Sequence, residues 1–422
     1  MRQYQPLPPV PWGGSSATPP SLAPPGMAPP GLVPPGPVAP GPGGGLVRVA
    51  RRPHGVGTVV ALVVLGVLLI VAVAAVGFQV GLAALPAAAV LAFVPLALVL
   101  AVIRWVDRWE PEPWQALTVA FGWGASVSVL VALVLNTGAV LVLVAVGSTA
   151  DVASVWGATV VAPVVEESIK ALGVLLIFLV WRRSFDGPVD GLVYAATVAA
   201  GFAFVENILY FGGAMADAAT GAGGGAMVAT VFVMRAVMSP FAHVLFTACT
   251  GLALGLAAER TDRRAWMWAF PVGLVLATAL HGLWNGSAMM GTTEGFLTLY
   301  VVVQVPLFLA VVGLVLWLRR REGAVLRGRL AEYAAGWWFA PAEVHMLASL
   351  ARRRQAVSWA AARGGAQARR DMRDFQLTAT RLAYLRHRLL TGRGDHAAVT
   401  EEQALLHDLA GLRQRLQRSL AV

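Results

Sequence analysis

The feature that rules out most architectures is a succession of eight apolar runs, at residues 57–78, 82–103, 115–146, 157–182, 189–211, 228–257, 266–289 and 297–318. A helix rises about 1.5 Å per residue, so roughly 20 residues cross the hydrocarbon layer. Inside a bilayer no water satisfies stray backbone groups, and an unbroken apolar run takes up the helix, whose hydrogen bonds are internal. The sequence therefore predicts an all-α polytopic membrane protein with about eight transmembrane helices. At 57% hydrophobic and 13% charged residues, the composition excludes an ordinary soluble domain. The third run exceeds one simple span, and a break is expected near Asn136 to Gly138.

Loops rich in positive charge stay in the cytoplasm. Arg48, Arg51 and Arg52 precede the first run, and Arg104 and Arg108 follow the second. Arg182 and Arg183 follow the fourth, Arg260, Arg263 and Arg264 the sixth, and Arg319 to Arg321 the eighth. The alternate loops, around 79–81, 147–156, 212–227 and 290–296, hold no Arg or Lys. Both termini are therefore expected in the cytoplasm.

Three domains are expected: an arm over 1–46, a membrane domain over 47–318 and a tail over 319–422. The arm holds 15 of the 26 prolines, and its PPG units at 24–26, 29–31 and 34–36 recur every five residues rather than every three as in collagen. A disordered, polyproline-II-rich arm is expected, and no cleavable signal peptide is visible. The tail carries 19 arginines against nine acids, a surplus equal to the whole chain's net charge of +10. Stretches 366–390 and 400–420 have helical character, with Gly364, Gly365, Gly392 and Gly394 as breaks. The tail reads as a solvated basic helical appendage drawn to anionic inner-leaflet lipids. No specific nucleic-acid motif is present.

Against this apolar background seven ionisable residues stand well inside the runs: Glu166, Glu167, Lys170, Glu206, Arg235, His243 and His281. Each costs at least about 2 kcal/mol in a bilayer. All fall in the fourth to seventh runs, which separates a functional core from an apolar scaffold. Lys170 is the chain's sole lysine, and its spacing from Glu166 and Glu167 lets all three share a helix face. His281 and Asn285 likewise lie on one stripe, and Pro240 breaks the ladder just before His243. Arg235 either snorkels to the surface or pairs with Glu206. With the orientation above, the acids and histidines lie roughly 8 to 23 Å below the outer surface, so one outer-half cavity can hold them.

Two imidazoles and one or two carboxylates match the ligand types of a catalytic zinc site, and a further glutamate can activate water. On this reading Glu167, Glu206, His243 and His281 are metal ligands and Glu166 is the base, the two adjacent glutamates being free to exchange roles. Lys170 offsets carboxylate charge, and Asn285 or Asn207 donates to the oxyanion. There is no HExxH, so separate helices must assemble the site. The lone Cys249 excludes an internal disulfide.

EESIK at 166–170, FAFVE at 202–206, His243 in FAHVLFT and His281 in LHGLWNG, together with the block DGPVDGLVYAATVAAGFAFVENILYF, resemble the PrsW family of intramembrane proteases, related to the CAAX-processing and bacteriocin-processing superfamily. The resemblance covers about residues 150–290. Where some members carry His-x-x-x-His, this chain has Thr247 after His243 and Asn285 after His281. The resemblance implies a multi-pass protease of the bacterial cell membrane, with zinc as cofactor. It also implies a membrane-protein substrate, in the best-known members an anti-sigma factor cut on its extracytoplasmic side. The resemblance also implies an alternative without metal, since relatives in the wider superfamily have been argued to work through glutamate and histidine alone. The rival reading is a proton-coupled transporter or channel using the same residues as a relay, although no internal duplication is visible.

Overall fold

The computed structural model describes Leu22 and residues 55–182, 184–221, 224–289, 292–394 and 396–421. The expected polyproline-II arm lies outside the described residues except for Leu22. Among the described residues all regular structure is helical. We number the helices α1 (Val56–Val80), α2 (Leu85–Val106), α3 (Trp114–Ala145), α4 (150–180), α5 (Pro188–Ala219), α6 (Gly224–Ala258), α7 (Trp266–Ala288) and α8 (Thr293–Ala335). Three more follow: α9 (Pro341–Leu347), α10 (Leu350–Leu390) and α11 (His396–Leu420).

Seven of these, α1 to α3 and α5 to α8, are long and apolar enough to cross a membrane. In the fourth apolar run the stretch Ala162–Val180 has the length, 19 residues, but carries Glu166, Glu167 and Lys170. The expected break at Asn136 to Gly138 is absent, because α3 runs through those residues. Its irregularity is instead a π turn at Gly124–Ser128. Three further π turns, at Gly157–Val161, Val233–Met238 and Tyr300–Gln304, interrupt α4, α6 and α8.

The chain divides into two compact units. In the larger, His54–Asp107 with Pro111–Leu316, the central element is α5, which is 78% buried over its apolar window against 17% for α1 and α3. Its start is fixed locally: Pro188 occupies the first turn, and Asp190 accepts the backbone N–H groups of Asp186 at 2.9 Å and Gly187 at 2.8 Å. Small residues let its neighbours come close. Gly187 and Gly191 face Gly255 and Gly251 of α6, where a Cβ on Gly191 would lie 2.0 Å from the Gly251 carbonyl oxygen. Gly124 and Gly201 form the same kind of contact between α3 and α5. Within α6 the helix is interrupted at Ser239–Pro240, since Pro240 has no N–H. The Met238 carbonyl accepts the Tyr300 hydroxyl at 3.0 Å.

The smaller unit consists of Arg108–Glu110 and Trp317 onward, with Leu22. The reading of a solvated appendage gives way here to a packed helical unit with its own apolar core, including Leu326, Tyr333, Phe339, Met346, Phe375, Leu382 and Leu406. Part of the arginine surplus is inside it: Arg353, Arg386 and Arg413 are buried. Arg413 pairs with Glu343 at 2.6 Å and Arg386 with Glu402 at 3.3 Å. The long α10 is kinked at Gly364–Gly365, with Gly365 at φ +64°.

Candidate active site

Helices α4, α5, α6 and α7 bring Glu166, Glu167, Lys170, Glu206, Arg235, His243 and His281 into one connected network. Lys170 is fully buried and donates to Glu167 Oε1 at 2.5 Å, while Glu166 Oε2 lies 4.0 Å away. The i,i+3 and i,i+4 spacings on α4 thus pair as a helix dictates. The ammonium also sits 4.3 Å from the centre of the Phe202 ring. Glu167 is fully engaged: besides Lys170, its Oε1 meets His281 Nδ1 at 3.0 Å and its Oε2 accepts the Thr247 hydroxyl at 2.9 Å.

The imidazoles are oriented by these partners. Lys170 has only protons to give, so His243 Nδ1 accepts from it at 3.2 Å, and His243 Nε2 faces Glu206 Oε2 at 2.8 Å. With His281 Nδ1 held by Glu167, its Nε2 points toward Glu166 Oε2, 3.8 Å away. The two imidazole rings stand nearly perpendicular with centroids 5.2 Å apart, and Phe246 stacks on His281 at 4.8 Å. Arg235 pairs with Glu206 and donates from Nε to Asn207 Oδ1 at 2.7 Å, which resolves its two readings in favour of pairing.

One ligand atom each from Glu166, His243 and His281 lies within 4.8 Å of the others, and all three residues are buried. Of the carboxylates, Glu166 is the one in this close group. Glu167 holds His281 from behind, and Glu206 touches the group through His243. Asn285 is not drawn in: its Nδ2 donates to the Ala158 carbonyl at 2.8 Å. Asn136, on a helix read as apolar scaffold, donates to Glu166 Oε1 at 3.2 Å. Its only signal was a lone amide in the run LVALVLNTGAVLVLV. Thr247 and Phe246, about one helical turn beyond His243, also join the cluster, through Glu167 and His281 respectively.

Beside the cluster is a cavity of about 460 Å³ whose lining includes Leu98, Ser239, Phe246, Leu280, Trp284 and Gln304. Phe246 thus belongs both to this cavity and to the stack on His281. Gln304 donates to the Ser287 hydroxyl at 2.7 Å, while its own Oε1 is buried without a hydrogen-bond partner.

A polytopic helical membrane protein enclosing an acid–histidine cluster between four of its helices is the class that fold and site define. The family described as PrsW family intramembrane metalloprotease matches residues 112–311, a range that contains every residue of the cluster. Among curated proteins the chain is similar to Protease PrsW of Geobacillus kaustophilus, 33% identical over 125 residues, which is 29% of this chain and 48% of the relative. Protease PrsW of Clostridioides difficile is 29% identical over 147 residues, 34% of this chain and 56% of the relative. That of Bacillus subtilis is 32% identical over 120 residues, 28% and 48% respectively. The chain spans about half the length of the curated relatives it matches. No solved structure matches it.

Proposed function

We propose that this chain is an intramembrane endopeptidase that hydrolyses a peptide bond of a membrane-embedded protein. The observation that carries the reading is the enclosed group of Glu166, His243 and His281, in which Glu166 Oε2 is buried and has no hydrogen-bond partner. A structural ion pair satisfies its own lone pairs; an orphaned carboxylate oxygen between two imidazoles is suited to receive a proton from a water molecule.

The residues divide the work. Glu166 Oε2 accepts the proton of the attacking water and returns it to the leaving amine. Asn136 fixes the other carboxylate oxygen, and Glu167 keeps His281 turned so that Nε2 faces the reacting water. Lys170 offsets the charge of the adjacent glutamates, and Arg235 does the same for Glu206. The apolar cavity beside Phe246 suits an unwinding segment of a substrate helix, whose freed backbone N–H has an acceptor in Gln304 Oε1.

The donor set also fits zinc. Three carboxyl groups face one ammonium and one guanidinium, which leaves a formal surplus of negative charge. Ligand atoms within 4.8 Å of one another need close by only roughly 1 Å to reach the spacing of about 3 to 4 Å between zinc ligands. Glu166, His243 and His281 would hold the ion, and Glu166 would then serve as a ligand in place of accepting the water's proton. When bound, it would polarise the scissile carbonyl and acidify water. The substrate class that the resemblance implies is an anti-sigma factor cut near the extracytoplasmic side, in keeping with cytoplasmic termini in a bacterial cell membrane. The arginines of the C-terminal unit would then face anionic inner-leaflet lipids.

The test is cleavage of fluorogenic single-span membrane peptides by the purified chain in liposomes. Loss of cleavage in both Glu166→Gln and His281→Ala, with thermal unfolding retained, supports the protease. Substrate-independent proton flux abolished by the same changes would replace it with the transporter.

A further inference from the structure

Leu22, the one described residue of the proline-rich arm, is 2% exposed within the apolar core of the C-terminal unit. Its backbone N–H donates to Glu343 Oε1 at 2.9 Å. Glu343 is fully buried and held from both sides: Arg413 donates to Oε1 at 2.6 Å and to Oε2 at 2.8 Å, and the Ala340 N–H reaches Oε2 at 2.9 Å. Arg413 is itself 4% exposed and donates to the Trp338 carbonyl at 3.2 Å. A buried carboxylate locked by a bidentate guanidinium and presenting one oxygen to an incoming backbone N–H is a preorganised recognition point.

The arm sequence repeats around this residue. Reading from Leu22, the chain runs LAPPG (22–26), MAPPG (27–31), LVPPG (32–36) and PVAPG (37–41). The first three units open on a long apolar side chain with a backbone N–H. The fourth opens on Pro37, which is apolar but has no N–H to donate.

We infer that the C-terminal helical unit is a receptor for the chain's own arm, reading an apolar residue with a free backbone N–H at the head of a PPG pentapeptide. Leu22, Met27 and Leu32 are then interchangeable occupants of one seat, and Pro37 is excluded. Because the arm is tethered, its effective concentration is in the millimolar range, so a weak intrinsic affinity suffices to keep the seat filled.

Hydrogen–deuterium exchange on the full-length protein in detergent tests this. In the triple variant Leu22→Pro, Met27→Pro, Leu32→Pro, amides over 338–347 should exchange roughly tenfold faster, the scale set by losing a buried leucine, while those of α5 stay unchanged. Leu22→Pro alone should keep most of the protection through Met27. A labelled LAPPGMAPPG peptide should bind the triple variant saturably and a PVAPG peptide should not. Unchanged exchange in the triple variant overturns the proposal, as does equal binding of the two peptides or faster exchange that extends to α5. Protection in wild type that disappears on dilution, together with loss of a dimer, would assign the seat to a second copy and overturn docking within one chain.

Discussion

Glu167 and His281, 114 positions apart in sequence, meet at 3.0 Å through Oε1 and Nδ1. That contact separates the roles of two adjacent glutamates: one is saturated by Lys170, Thr247 and His281, and the other keeps a bare oxygen toward the space between the imidazoles. A carboxylate behind a ring nitrogen fixes the tautomer and raises the basicity of the other nitrogen, as in carboxylate–histidine–metal sites.

Glu166→Gln and Glu167→Gln should therefore fail in different ways. The first should cut turnover by roughly 100-fold or more, the share of a general base, with little change in melting temperature. The second strips the ion partner from a sealed ammonium, and breaking such a pair costs about 3 to 5 kcal/mol. Paired turnover and thermal-melt measurements check this; equal melting temperatures for the two variants would contradict the assignment.

Metal analysis of the purified protein should find about one zinc per chain, following from three protein ligands around one centre. His281→Ala and Glu166→Ala should each lose it, while Asn285→Ala should retain it. Metal content indifferent to His281 would remove that residue from the ligand set.

Replacing Gly251 by alanine places a methyl group 2.1 Å from the Gly191 carbonyl oxygen. Backbone cannot yield as a side-chain tip does, so α5 and α6 must separate, at a cost of at least about 1 to 3 kcal/mol. Because α6 carries His243 and Thr247, activity should fall together with the melting temperature. Gly213→Ala, on the same helix as Gly191 but with open space around its Cβ, serves as the control and should leave both unchanged.

Burial raises the Asp107 carboxyl from its usual value near 3.8 to about 7, against the opposing pull of the Glu112 N–H and Arg104. The folded state thus binds this proton more tightly than the unfolded chain. Stability should be greatest below about pH 4 with respect to this group and decline as pH rises toward 7. Asp107→Asn keeps an acceptor for the Glu112 N–H, so its melting temperature should lack that decline; an unchanged slope would locate the titration elsewhere.

The membrane helices were legible because apolar runs of about 20 residues have few alternatives, and the cluster because charge inside such runs is costly to retain. What escaped had weak or ambiguous signals. Asn136 is uncharged and sits in a run whose excess length suggested a break, whereas a π turn twelve residues earlier takes up the irregularity without breaking the helix. Which of Glu166 and Glu167 keeps an unpaired oxygen depends on rotation about α4, which two adjacent residues of one type leave open. The packed core of the C-terminal unit was masked by its arginines: Arg353, Arg386 and Arg413 count as surface charge in any composition, yet each is buried.

Lys170 is the sole lysine, and none of it reaches the surface. In the native protein an amine-acylating reagent consequently finds no lysine side chain within reach. Modification at position 170 can proceed only when α4 parts from α5 and α6, so its rate is an intrinsic clock for the opening of these helices around the cluster.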